Sequence, residues 1–181
     1  MRLINKIIIH CSATIEGVNY YAKNIEAWHK EKGMSKIGYH FVINLDGKIE
    51  KGRCIENIGA HCLGQNENSI GICYIGGLDK NRRPKDTRTA AQVRAMDNLI
   101  RELLEELRFI QPGLTISVHG HREFANKACP CFDARQEYTS EMYANNFPFI
   151  TFIENIYSTA FTRLRTNVSY DRTGGSNIAL S

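Results

Sequence analysis

Two apolar runs in this chain, Ile7-Ile8-Ile9 and Ile70-Gly71-Ile72-Cys73-Tyr74-Ile75, are hydrophobic at consecutive rather than alternate positions. Side chains on a strand point to opposite faces in turn, so strands of this composition belong inside a sheet covered on both sides. Covering helices are present. From Thr89 to Leu107 the residues Val93, Met96, Leu99, Ile100, Leu103, Leu104 and Leu107 recur at spacings of three and four behind an N-capping threonine, which predicts a long amphipathic helix. A shorter helix is predicted from Ala22 to Lys32, where Ile25, Ala27 and Trp28 sit among charges and Gly33 serves as C-cap. Gly38 to Ile43 is strand-like and an Asp46-Gly47 turn leads into Ile49-Glu50-Lys51, a β-hairpin. Arg53 to Asn68 has no periodicity and is read as loop; Pro112-Gly113 ends the long helix before a strand at Thr115 to Val118. The expected fold class is α/β: a single domain with a mixed central β-sheet flanked by α-helices.

The pattern changes after Asp133. Phe149, Ile150, Phe152, Ile153, Ile156, Tyr157, Ala160, Phe161 and Leu164 follow Pro148 at helical spacing, and residues 167–181 are rich in Ser, Asn, Thr and Gly. Residues 1–140 are therefore expected to form the domain, and 141–181 a C-terminal extension made of a packed helix and a frayed tail. The extension is too short and too charged to span a bilayer, so no stable membrane insertion is expected. A chain of 181 residues with 43% hydrophobic and 23% charged content is long enough for one domain with a full core, here expected as a monomer. Its net charge of +4 is small, and Lys80-Asn81-Arg82-Arg83-Pro84-Lys85 is read as a solvated loop, so no nucleic-acid partner is expected. The six cysteines, at 11, 54, 62, 73, 129 and 131, do not space as a disulfide framework, and the first ten residues lack the apolar length of a secretory signal. Synthesis in a reducing cytoplasm without a Sec signal is expected.

The chemistry-bearing residues cluster in two segments, Ile7 to Thr14 and Val118 to Asp133. A strand ending at His10 delivers an imidazole to the C-terminal edge of a sheet, where α/β proteins place their sites. His119 and His121 share one face if their segment is extended, and a turn through Asn126 would fold Cys129 back toward either. Two imidazoles and one thiolate make a three-ligand zinc site with a fourth corner left for water, the composition of a hydrolytic rather than a structural centre. A rival reading takes Cys129 as a nucleophile with His121 or His119 as its base. Both readings lead to amide hydrolysis, and the metal separates them. Each residue also has a plainer reading: His10 a hydrogen-bonded strand-end histidine, Tyr39 and Trp28 core aromatics, His61 a satisfied loop histidine, Lys127 a surface lysine. Cys131 is read as a buried thiol near the site, and the spacing of Glu123 does not put it at a metal.

These residues stand in segments that resemble a known family. His10-Cys11-Ser12-Ala13-Thr14, Trp28-His29-Lys30, Gly38-Tyr39-His40-Phe41, Asp46-Gly47, Gly59-Ala60-His61, Asn68-Ser69-Ile70-Gly71, Gly120-His121-Arg122-Glu123 and Lys127-Ala128-Cys129-Pro130 run in the order found in zinc-dependent N-acetylmuramoyl-L-alanine amidases of the phage T7 lysozyme type. Those enzymes belong to the amidase-2 and peptidoglycan-recognition-protein superfamily. The resemblance covers residues 1 to about 138. It implies that Zn²⁺ is held by His10, His121 and Cys129, with His119 excluded, that Tyr39 and Lys127 are catalytic, and that His61 lies in the substrate cleft. Many relatives carry Asp where Cys129 stands, and the cysteine sets this chain with the phage-lysozyme-like branch. The implied partner is peptidoglycan or its muropeptides, reached as an endolysin after release or by non-Sec export. A noncatalytic muropeptide-binding module and a protein-binding regulator are the alternatives that the superfamily allows.

Overall fold

The structure is a computed structural model and describes residues 2–139; the expected helix behind Pro148 and the tail lie outside the described residues. Strand β1 (Lys6–Cys11) occupies the interior of a five-stranded sheet with β3 (Phe41–Ile43), β4 (Ile49–Lys51), β5 (Ser69–Tyr74) and β7 (Ser117–Gly120), in the order β4-β3-β5-β1-β7. β1 runs parallel to β5 and β7, β3 runs parallel to β5, and only the edge strand β4 is antiparallel, so the sheet is mixed, as expected from the sequence.

The consecutive apolar residues are divided between the faces by the pleat. Ile7, Ile9 and Cys11 join Ile70, Ile72, Tyr74, Phe41, Ile43 and Val118 under α2 (Ala90–Ile110), whose Met96, Leu99, Ile100, Leu103, Leu104 and Leu107 fill the other half of that core. On the opposite face Val42, Cys73 and Ile75 pack with Ile25 of α1 (Ala22–Glu31) and Ile37, with Trp28 and Tyr20 at the margin. Each fully buried Leu or Ile contributes about 1.5–3 kcal/mol, so the face under α2 carries most of the stability. The face toward α1 is smaller, and room is left there for polar side chains.

Local chemistry sets the element ends. Thr89 Oγ1 accepts from Gln92 N at 3.0 Å, and Gln92 Oε1 accepts from Thr89 N at 3.0 Å, a reciprocal cap on α2. Gln92 is fully buried, and its Nε2 donates to Ile43 O at 3.1 Å and Ile75 O at 2.9 Å, which ties the helix start to the C-terminal ends of β3 and β5. The Asp46-Gly47 turn closes the hairpin with Asn44 N on Lys48 O at 2.9 Å, and Gly47 has φ +86°. A Cβ on Gly47 would lie 2.8 Å from Ala91 O in the first turn of α2, so glycine is required there twice over.

Several boundaries differ from the sequence reading. The strand expected from Gly38 begins at Phe41, because the Gly38 backbone is bonded elsewhere: its N–H donates to His29 Nδ1 at 2.9 Å and its carbonyl accepts from Ala60 N at 3.0 Å. β7 starts two residues later than expected and ends at Gly120, after which His121–Glu123 form a 3₁₀ turn. A small parallel pair, β2 (Thr14–Ile15) with β6 (Gly77–Leu78), and the one-turn helix α3 (Ala134–Glu137) were not foreseen, being too short to show a period. Arg88 holds α3 in place, bonding Glu137 Oε1 at 2.7 Å while its guanidinium lies 3.3 Å from the Phe132 ring centre. The Lys80–Lys85 segment is an exposed turn organised by Asp79, as its composition suggested. No helix among the described residues is long and apolar enough to cross a membrane.

Candidate metal centre

Strand alternation sends His10 to the face opposite α2, and its ring is fully buried there. Ile9 pairs with Gly120 across the β1–β7 ladder, so the next residues, His10 and His121, leave neighbouring strands side by side with ring centres 4.5 Å apart. The following loop returns to the same point: Arg122 N donates to Cys129 O at 2.7 Å, and Tyr74 Oη donates to Pro130 O at 2.7 Å. As a result one ligand atom from each of His10, His121 and Cys129 lies within 4.8 Å of the others. His10 Nδ1 is 3.9 Å from Cys129 Sγ, and that sulfur also accepts Cys11 N–H at 3.3 Å.

His119 takes no part in this cluster. Its Nδ1 meets Glu123 Oε2 at 2.7 Å and its Nε2 meets Ser117 Oγ at 2.8 Å, while Glu123 Oε1 accepts from Gly120 N at 2.8 Å. The extended segment expected through His121 ends at Gly120, and in the 3₁₀ turn His121–Glu123 that follows, Glu123 comes back to engage His119 while His121 meets His10. Glu123 is thereby used as a cap and as the partner of His119, away from the ligand cluster.

Tyr39 borders the cluster, its ring centre 5.0 Å from that of His10, and after burial itself the buried Cys73 thiol is among the groups that raise its phenol. The alignment of His10 with Cys73 in the β1–β5 ladder accounts for this placement. Lys127 is exposed at the rim, and its positive charge helps to depress the imidazoles of His10 and His121. His61 is almost wholly buried, with Nδ1 3.0 Å from His10 Nε2. Cys131, half-buried, lies with its sulfur 3.8 Å from Cys11 Sγ and 3.2 Å from Gly77 O.

Burial sets the electrostatics. It is the largest cause holding His10 well below the ordinary histidine range, with His61, His121 and Lys127 adding to it. Burial also lowers His61 to about 3 and depresses His121. Imidazoles held neutral offer free lone pairs, the form a metal takes. The Tyr39 phenol is raised well above its usual value, first by burial and then by the surrounding thiols, so it stays protonated. The hydrogen bond with Cys129 is the first cause that raises the Cys11 thiol to about 12.

Cys11, Ser69 and Asn66 also contribute to the site, and sequence reasoning missed them. Cys11 acts through its backbone N–H, which carries no sequence signal, while Ser69 and Asn66 serve His61 from a segment without periodicity. A signal was available in His61 itself, a histidine flanked by the glycines at 59 and 64.

A mixed sheet with His10 at the end of β1, His121 just past β7 and Cys129 carried back to them by a loop shares its fold with solved amidases and peptidoglycan-recognition proteins, the class of α/β proteins to which this one belongs. The N-acetylmuramoyl-L-alanine amidase LysC from Clostridium intestinale URNW shares the fold, with a TM-score of 0.60 and 28% identity over 74% of this chain and 80% of that one. The chain belongs to the N-acetylmuramoyl-L-alanine amidase family (amidase-2), whose model matches residues 1–132. The endolysin of Klebsiella phage KP32 is 39% identical over 132 residues, covering 73% of this chain and 83% of the relative. That of Escherichia phage T7 is 39% identical over 130 residues, 72% of this chain and 82% of the relative. The protein is therefore an amide hydrolase by family, and His10, Tyr39, His61, His121, Lys127 and Cys129 all fall inside the matched segment.

Proposed function

We propose that the protein is a zinc hydrolase that cleaves the amide between N-acetylmuramic acid and L-alanine in peptidoglycan, acting on the cell wall as an endolysin. The observation that carries this reading is the convergence of His10, His121 and Cys129 within 4.8 Å beside Tyr39, in a chain of the amidase family. The donor set suits zinc: two neutral imidazoles and a thiolate are the mixture this borderline-soft ion prefers, and three protein ligands leave one position open. His10, His121 and Cys129 would hold the ion, with Cys11 N–H donating to the Cys129 sulfur. When bound, zinc supplies Lewis-acid polarisation of the scissile carbonyl and activation of a water.

The other roles fall to the chain. Lys127, at the exposed rim, stabilises the negative charge that develops on the carbonyl oxygen as the tetrahedral intermediate forms. Tyr39, kept protonated by burial, orients the attacking water through its hydroxyl and does not act as a base. Substrate reaches the site from the side of Lys127, Cys129 and His121, which are exposed or half-buried, while His10 is sealed from behind.

One distance supports a second reading: Cys129 Sγ at 3.9 Å from His10 Nδ1 is also a loose thiol–imidazole pair. The two readings separate on purified peptidoglycan. Chelation is expected to abolish release of L-alanine-terminated peptides, zinc to restore it, and Cys129→Ala to be inactive. Full activity in a metal-free preparation would transfer the reaction to the thiol. Binding of muropeptides without any release would leave a noncatalytic recognition module.

A further inference from the structure

His61 has every polar atom of its ring committed inside the protein. Its Nδ1 faces His10 Nε2 at 3.0 Å and its Nε2 faces Ser69 Oγ at 3.4 Å. The Ser69 hydroxyl donates in turn to Gln65 O at 2.7 Å. That last bond fixes the direction of the whole chain. Ser69 has spent its single proton on a carbonyl, so toward His61 its oxygen is an acceptor and His61 Nε2 carries the hydrogen. Nδ1 of His61 is then a lone pair, and the proton in the 3.0 Å contact sits on His10 Nε2. The opposite nitrogen of His10, Nδ1, is the one that faces Cys129 Sγ.

The ring is held in a slot shaped for it. A Cβ on Gly59 or on Gly71 would come within 2.5 Å of His61 Cδ2, so both flanking positions exclude any larger residue. Asn66 Oδ1 accepts from His61 N and from Cys62 N, each at 2.8 Å, which pins the backbone beneath the ring. The T-shaped arrangement with the His10 ring, at 5.0 Å and 81°, points the edge of one imidazole at the nitrogen of the other.

We infer that His61 is a positioning residue for His10: it fixes the His10 tautomer and ring rotation so that Nδ1 presents its lone pair to the ion, with Ser69 and the Gln65 carbonyl anchoring the relay. This deepens the zinc reading and rests on His10 being a ligand, and it replaces a substrate-contacting role for His61 with one exerted through the metal site. An outer partner that orients a ligating histidine is commonly worth a factor of about 10–100 in metal affinity.

The test uses the full chain and its zinc affinity, measured by competition with a chromophoric chelator. His61→Phe fills the slot without an acceptor and is expected to weaken zinc binding by about 10–100-fold. His61→Asn places an amide oxygen near the Nδ1 position and is expected to recover most of that loss, and Ser69→Ala to show a smaller one. KM for a muropeptide at saturating zinc should stay within about twofold of wild type in H61F, because binding that does not run through the ion is untouched. Equal zinc affinity in wild type and H61F, or a raised KM with zinc affinity unchanged, would overturn the inference. The metal-free protein separates this from failure of the zinc reading itself: nitrogen-detected NMR should show the His10 ring proton on Nε2 in wild type and a mixture of tautomers in H61F, whatever the protein's activity. A mixture already present in wild type would also overturn it.

Discussion

His10 Nδ1 and Cys129 Sγ lie 3.9 Å apart across 119 residues of sequence. Neither residue is placed by its neighbours in the chain. His10 is fixed by the pleat of an interior strand, and Cys129 by a loop whose Cys129 and Pro130 carbonyls accept from Arg122 N and Tyr74 Oη.

A metal bridging these segments joins the beginning of the domain to its end, so binding should appear as stability. Zinc at about 100 times its Kd is expected to add about 2.7 kcal/mol. Thermal melting should show a zinc-dependent rise in Tm for wild type and none for Cys129→Ala. An equal rise in both proteins would mean that the ion binds elsewhere.

Lys127 is at the rim and outside the ligand cluster, and its loss should separate catalysis from metal binding. Lys127→Ala is expected to lower kcat by about 10²–10³-fold, the usual cost of an oxyanion-stabilising group, with zinc content unchanged. Lys127→Arg should recover part of the rate. Stoichiometric zinc together with wild-type kcat in K127A would remove Lys127 from the chemistry.

Gln92 makes a prediction about stability alone. Gln92→Ala strips the carbonyls of Ile43 and Ile75 of their side-chain donor where no water reaches, and is expected to cost about 1–3 kcal/mol. Urea titration would measure it as a lower midpoint with an unchanged slope. Since Gln92 lies at the helix start and not among the site residues, kcat/KM should hold.

The buried histidines predict how stability depends on pH. Burial lowers His40 to about 4 and His61 to about 3, both below the ordinary value near 6.5 of the unfolded chain. The unfolded state therefore takes up protons first on acidification. The contribution of these residues is complete above about pH 6.5 and is lost as pH falls toward 3–4, at up to about 1.4 kcal/mol per pH unit for each histidine. Denaturant melts of the metal-free protein between pH 5 and 7 should show this slope, and His40→Asn should make it shallower. A stability profile flat across that range would contradict neutral burial of these rings.

What the sequence determined by itself was whatever depends on neighbours along the chain. The apolar runs at Ile7 and Ile70, the period of three and four from Val93 to Leu107, the Thr89 cap and the Asp46-Gly47 turn each encode a local geometry, and the α/β class follows from their order. Tertiary structure decided which side chains meet. His119 and His121 are the same residue type two positions apart, yet His121 meets His10 while His119 is taken by Glu123 and Ser117, contacts that no local period reports. The same holds for His61, whose place against His10 depends on β5 lying next to β1 and on two glycines that leave a slot for its ring. Hydrogen-bond direction, burial and strand adjacency act between residues far apart in sequence, so no local period reports them.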